Sequence, residues 1–304
     1  MSQGKTYQYY CAFDLIWKSE INIAEFEIYK GKKSKPDITV IFDKTPKFIK
    51  GNIERGVYTQ FTENKFLLKL NEIGNFYVTN GNKIIINPEN NKSLNSIKTF
   101  LLSTVIGVLL NQRKLFPIHG SAINIENNAI LFSGIPGSGK STLATAFSQK
   151  GFKIITDDIA AINIIENKPF VVHSFPSIKL WDDSIEKLSL EKETFVNVRE
   201  GVEKKRLNSN KNFEKKSYKL SHIFILKSHN LSELNFVEIK GVEKFNYLKN
   251  NTYRLKFISG ELNKVAFFKQ LTVIAQNTRI FEIVRPKSPF DIEKIMSIVN
   301  NHLS

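Results

Sequence analysis

The stretch GIPGSGKSTLATAFSQKGFKIITDD, from Gly134 to Asp158, constrains this chain more than any other part of it. Gly134, Gly139, Lys140 and Ser141 complete the spacing G-x-x-x-x-G-K-[ST], with Gly137 adding freedom inside the loop. Glycines at these places let backbone N–H groups turn toward phosphate oxygens. The lysine neutralises the β- and γ-phosphates, and the hydroxyl after it offers an oxygen to magnesium. Asn128–Ser133 reads as a buried strand entering the loop, Ser141–Lys150 as a helix stopped by Gly151, and Phe152–Thr156 as a second buried strand. A right-handed crossover returns the second strand's carboxyl end to the sheet edge that carries the loop. Asp157 and Asp158 therefore arrive beside the phosphates, where one carboxylate can hold a metal and the other can accept a proton from an attacking hydroxyl. The expected ligands are ATP and Mg2+, with Gly134, Gly137, Ser138, Gly139, Lys140, Ser141 and Thr142 binding the nucleotide.

The 304 residues suffice for two domains. Apolar residues make up 41% and charged residues 24%, as in an ordinary folded protein. The net charge of +15 comes from lysines spread along the chain among many asparagines, with no aromatic-plus-basic motif and no recognition helix, so no nucleic-acid partner is expected. The single Cys11 excludes an internal disulfide and fits a reducing compartment. The N-terminus lacks the pattern of a signal peptide, and the longest apolar run, around Phe100–Leu110, falls short of the roughly 20 residues that span a bilayer. A cytoplasmic protein without a membrane segment is the expectation. Self-association is left open.

Residues 1–92 read as a β-rich N-terminal domain. The Asn80-Gly81 pair sits between two alternating apolar runs, a hairpin signal because both residues accept positive φ. Residues 93–114 read as a connecting helix capped by Ser93, and residues 115–304 as an α/β domain. Within the latter, Pro117–Ile125 and the strand entering the loop form a hairpin around Glu126-Asn127-Asn128. This pairs Ile123 with Leu131, sets His119 opposite Ile135, and brings that imidazole near the phosphates, where it can orient a base. The other histidines read as packing or surface residues.

Glu191–Lys219 is polar and lysine-rich and reads as a long surface loop whose Lys204-Lys205-Arg206 cluster can supply charge to a transferring phosphoryl group, with Lys205 and Arg206 taken as the residues of that role. Pro176–Leu188 reads as a strand passing into a helix capped by Asp182 or Asp183, with Trp181 as a packing residue. A last helix is expected to be capped by Ser288 with Pro289 at its first position.

His119-Gly120-Ser121, then the loop Gly134–Ser141, then Asp157-Asp158 stand in an order that resembles the HPr kinase/phosphorylase superfamily, whose nucleotide domain is similar to phosphoenolpyruvate carboxykinase. The resemblance runs from about Leu115 to the C-terminus. It implies a P-loop kinase domain, with Asp157 as general base for a serine hydroxyl, Asp158 and Ser141 serving magnesium, and His119 in the active site. A further, looser likeness is to the HPr-kinase-like proteins encoded with lasso peptide biosynthesis genes. It rests on the β-rich N-terminal region, the apolar helix, Lys179-Leu180-Trp181 and Lys205-Arg206. That likeness implies a precursor-peptide acceptor phosphorylated at its C-terminal serine. The glycine-rich signature of true HPr kinases is missing, and VREGVEKKRLNSN (Val198–Asn210) stands in its region, so neither HPr as acceptor nor a reverse phosphorolytic reaction follows. A protein or peptide serine kinase is the leading reading. A small-molecule P-loop kinase, an HPr kinase and a non-catalytic nucleotide-binding regulator are the alternatives.

Overall fold

A computed structural model describes residues 6–32, 35–51, 54–89, 93–191, 195–197, 204–208, 210–230 and 232–303. The chain divides into two compact units, one of residues 1–115 and 254–267, the other of residues 116–253 and 268–304. This differs from a division at residue 114. The helical stretch counts with the first unit, and a segment far along the chain returns to that unit because Phe257 packs edge-on against Phe61 and Phe66, with centroids 5.3 and 4.8 Å away.

In the first unit the described strands are β1 (Gln8–Ala12), β2 (Leu15–Ser19), β3 (Glu27–Ile28), β4 (Ile38–Phe42), β5 (Glu54–Arg55), β6 (Thr59–Phe61), β7 (Lys65–Leu70), β8 (Gly74–Thr79) and β9 (Lys83–Pro88). They form one sheet in the order β3-β1-β2-β4-β9-β8-β7-β6-β5. β2, β4 and β9 run parallel, and every other pairing is antiparallel. Alternation sets the buried face: Phe76 and Val78 are fully buried while their strand neighbours Asn75, Tyr77 and Thr79 are partly exposed. Asn80 and Gly81 make the turn after β8 with φ of 53° and 61°. Ser93 caps α1 (Leu94–Phe100) by accepting from the Ser96 amide, and a π-helical turn (Leu101–Val105) leads into α2 (Ile106–Gln112). Together they make 19 residues of mean hydropathy 1.4, long and apolar enough to cross a membrane by length and composition, and 61% of that window is buried inside the protein. The helix is longer than the apolar run alone suggests, because polar Asn95, Lys98 and Gln112 lie within it.

The second unit holds β10 (Phe116–Ile125), β11 (Asn128–Gly134), α3 (Lys140–Gln149), β12 (Lys153–Thr156), β13 (Ile159–Ile165), β14 (Lys168–Val171), β15 (Ser177–Trp181), α4 (Asp182–Lys187), β16 (Val196–Asn197), β17 (Lys204–Asn208), β18 (Tyr218–His229), β19 (Asn235–Ile239), α5 (Glu243–Asn250), most of α6 (Glu261–Asn277), β20 (Arg279–Pro286) and α7 (Ile292–Asn300). The main sheet runs β11-β10-β13-β14-β18-β20-β19. β12 is added against β10, and a parallel pairing of β11 with β18 closes the path on itself. β11 and β12 flank β10, each antiparallel to it, so α3 crosses over between two parallel strands and their carboxyl ends share one edge. Phe132 on β11 anchors α3 to the sheet, stacked on Phe147 at 5.7 Å and near Phe224 of β18 at 6.2 Å.

Several local expectations are corrected here. The β10–β11 hairpin turns on two residues, Glu126 and Asn127, at φ 50° and 61°, so Ile123 pairs with Ile130 rather than Leu131. A two-residue turn with both φ positive matches the twist of the strands, and it moves the register by one. Parts of Glu191–Lys219 are strands, since β17 pairs with β15 and β16 in a second, three-stranded sheet. The remainder of that segment lies partly outside the described residues. The last helix starts at Ile292, where the Asp291 carboxylate caps the Lys294 amide at 3.0 Å, rather than at Ser288. Asp182 and Asp183 lie in the first turn of α4 rather than at its cap.

Candidate active site

The loop between β11 and α3 owes its path to glycine. Gly139 sits at φ 102°, and a Cβ there would lie 2.8 Å from the Phe290 ring. Gly134, at φ 135°, passes so close to the Leu226 carbonyl that no side chain fits. Arg285, stacked 3.8 Å from the Phe290 ring, donates to the Ser138 carbonyl at 3.2 Å and holds the loop from below. Lys140 is buried and turns back on its own loop, donating to the carbonyls of Gly134 at 2.9 Å and Ile135 at 2.8 Å. Burial pulls its pKa down to about 8, although Asp157 and Asp158 attract its charge. The Ser138 hydroxyl is buried with no hydrogen-bond partner among the described residues. A buried cation with neighbouring carbonyls and a spare hydroxyl suits an anion that would bond both, so the loop fits a phosphate chain.

The two aspartates at the end of β12 meet this loop, and they do so differently. Asp157 is 5% exposed. Its Oδ1 accepts from Ser121 Oγ at 2.6 Å and Ser141 Oγ at 2.8 Å, and its Oδ2 accepts from the Lys179 amide at 2.9 Å. A carboxylate has about four lone-pair sites and Oδ1 has used both of its own, so roughly one remains, on Oδ2, for a metal, and the Ser141 oxygen bonded to the same carboxylate is a second candidate ligand. Those two groups can hold magnesium, whose shell ordinarily takes further oxygens from phosphates and water.

Asp158 takes φ 72°, a left-handed conformation that aspartate tolerates at some cost. Its peptide is held there by β10, because its carbonyl accepts from His119 Nδ1 at 2.9 Å and from the Gly120 amide at 3.3 Å. His119 thus carries its proton on Nδ1 and presents Nε2 as an acceptor. Burial, and then Lys140, hold its pKa below the ordinary histidine range despite the Asp158 charge, so it is neutral near pH 7. The Asp158 carboxylate pairs with Lys179 Nζ at 2.8 Å. Burial alone would raise its pKa, but the charges of Lys179 and Lys204, with the hydrogen bond from Lys179, outweigh burial and hold it well below the usual carboxylate range. The same pairing keeps Lys179 charged: burial lowers its pKa, and Asp158 more than offsets that.

The structure therefore brings together His119, the loop Gly134–Ser141, Asp157 and Asp158. Thr142 lies at the start of α3 and donates to Ser184 of α4 at 2.9 Å, away from the acid pair. Of the two basic residues taken for transition-state charge, Lys205 pairs with Asp182 at 3.3 Å on one face of the small sheet. Arg206 is the cross-strand partner of Lys179 and shares its face. Lys204 shares that face opposite Trp181, and its charge acts on Asp158, His119 and Lys140. Trp181, expected to pack inside, is 42% exposed, with the Lys204 ammonium 6.0 Å from its ring centre. Sequence reasoning gave no role to Lys179 or Ser121, and from the Lys204-Lys205-Arg206 cluster it singled out Lys205 and Arg206 rather than Lys204. The period-2 alternation in Ser177–Trp181, with Ile178 and Leu180 in the core, is the signal that sets Lys179 on the opposite face.

No family model matches the sequence, and no curated protein matches it. Among solved structures the chain is similar to the Hpr(Ser) kinase/phosphatase from Coxiella burnetii, with 13% identity and a TM-score of 0.35 over 61% of this chain and 89% of that one.

Proposed function

We propose that the protein is an ATP-dependent kinase of the HPr-kinase-like kind that phosphorylates a serine hydroxyl on a peptide or small protein. The observation that carries this reading is the meeting of the glycine loop with the acid pair: Ser141, directly after the loop lysine, bonds Asp157 at 2.8 Å, and Asp158 stands next to it under the charge of Lys179 and Lys204. Phosphoryl transfer asks for this combination of phosphate cradle, metal ligands and an oriented acceptor of the hydroxyl proton.

In this reading the loop amides and Lys140 hold the β- and γ-phosphates, and Ser141 and Asp157 hold magnesium. Magnesium, when bound, would neutralise charge that develops on the phosphate oxygens. The geometry favours Asp158 rather than Asp157 as the acceptor of the hydroxyl proton, because Asp157 accepts from Ser121, Ser141 and the Lys179 amide and keeps about one site, for the metal, whereas the bond from Lys179 engages one oxygen of Asp158. His119 holds the Asp158 peptide in its left-handed turn. The serine oxygen bonds to the γ-phosphorus as the bond from that phosphorus to the β,γ-bridging oxygen breaks; the proton passes to Asp158 and ADP leaves. Lys204 and Arg206 face the transferring group. The narrower acceptor is the C-terminal serine of a lasso precursor peptide, and the narrower location is the cytoplasm.

The test is incubation with γ-labelled ATP, magnesium and serine peptides, Ser-terminated precursors among them. Label should appear on serine. Asp158→Asn should lower kcat by about 10²-fold or more while ATP affinity holds within about threefold. No transfer to any peptide, or an Asp158→Asn variant as active as the parent, overturns the reading. Transfer to a metabolite hydroxyl alone would replace the acceptor class.

A further inference from the structure

Lys179 touches both aspartates. Its amide donates to Asp157 Oδ2 at 2.9 Å, and its ammonium donates to Asp158 Oδ2 at 2.8 Å. One residue of β15 thus fixes the rotation of both carboxylates, and its side chain is only 12% exposed. Many phosphoryl-transfer sites bring two divalent cations to such a pair of acids, about 3.5–4 Å apart. Here a fixed cation already occupies the second carboxylate.

We propose that the Lys179 ammonium stands in for a second divalent cation, making this a single-magnesium site in which Asp157 and Ser141 carry the metal and Asp158 is kept off it. The inference rests on the kinase reading above and specifies how that site is charged. A metal at Asp158 would have to share the carboxylate with the ammonium bonded to Oδ2, placing a dication against a buried lysine or displacing that lysine from its counter-charge, and either is strongly unfavourable. The surrounding charge opposes a second dication as well. Lys140 comes from α3 and Lys204 from β17, and Arg206 is the cross-strand neighbour of Lys179 on the same face. An ammonium has three donors, so Lys179 retains donors for a phosphate oxygen after bonding Asp158. The serine donors on Asp157 act in the same direction, since they tie that carboxylate to β10 and to the start of α3.

The experiment counts bound Mn2+ by electron paramagnetic resonance, with the full chain saturated by a non-hydrolysable β,γ-imido analogue of ATP. The parent should bind one Mn2+ per chain, Lys179→Gln should bind a second, and Lys179→Arg should return to one. A residue that merely supports the fold would not raise the number of metals when removed. Two Mn2+ per chain in the parent, or a folded Lys179→Gln that stays at one, overturns the inference while the kinase reading stands. If Lys179→Gln does not fold, the counts for the parent and Lys179→Arg decide alone. An analogue that fails to bind the parent overturns the kinase reading and this inference with it.

Discussion

Raising the pH to 9 should make ATP binding a proton-uptake reaction, and Lys140 supplies the reason. In the free protein its ammonium is enclosed by its own loop, and burial lowers its pKa to about 8 from the ordinary 10.5. At pH 9 only about one lysine in eleven at this position is charged, by the ratio a pKa of about 8 implies. A bound triphosphate restores the charged form, because the phosphate oxygens replace loop carbonyls as partners and carry full negative charge. Each ATP should therefore bring about 0.9 proton with it at pH 9, and almost none at pH 6.5. Other groups of the site do not blur the signal: His119 is already neutral at pH 9, and Asp158 stays ionised.

The sign carries over to affinity and stability. Above pH 8 ATP affinity should fall by up to about tenfold per pH unit, as proton uptake requires. The free protein should instead gain stability across the window from about 8 to the ordinary 10.5, since the unfolded chain there binds a proton that the folded chain has lost. Isothermal titration at pH 9 in two buffers of different ionisation enthalpy measures the uptake directly. Lys140→Met should abolish it. No uptake, or proton release, would refute the picture of a buried lysine recharged by phosphate.

Two other outcomes follow from side-chain placement. Lys204→Gln should lower phosphoryl transfer by about 10²-fold, the usual size of one charge-stabilising contact. Lys205→Gln, which breaks only the 3.3 Å pair with Asp182 on the other face, should leave kcat within about twofold, and the reverse ranking in steady-state kinetics would refute the facing of β17. Phe132→Ala should destabilise the protein by about 3–5 kcal/mol, because that ring is fully buried between α3 and β18, and denaturant unfolding with an unchanged m-value checks it.

Much of the loop and its supporting strand and helix was legible because each signal is local. Glycines at fixed offsets, an apolar strand before them and a helix-forming run after them are adjacent in the chain, and the crossover rule carries the acid pair to the same edge. The hairpin containing His119 was legible as a hairpin but not in register, since register depends on whether Glu126 and Asn127 both accept positive φ, which asparagine suggests but glutamate does not. The return of Arg254–Phe267 to the first unit was not legible. It rests on Phe257 meeting Phe61 and Phe66 nearly two hundred residues earlier, and no periodicity encodes such a contact.

The same limit explains how the charge of the site was misread. From the chain alone Lys204, Lys205 and Arg206 are three adjacent cations, and Lys179 is one lysine in an apolar run. Pairing β17 with β15 separates them, because strand alternation sends Lys205 to Asp182 and turns Lys204 and Arg206 to the face that holds Lys179. That face then acts on Asp158, 21 residues before Lys179, through a direct ion pair at 2.8 Å. The proposed division of labour between the two aspartates follows from this pairing rather than from their order in the sequence. Asp157 is claimed by hydroxyls and an amide, and Asp158 by a cation. Under the proposed reading the carboxylate bonded to Ser141 serves the metal, and the ion-paired one accepts the proton through the oxygen that Lys179 leaves free.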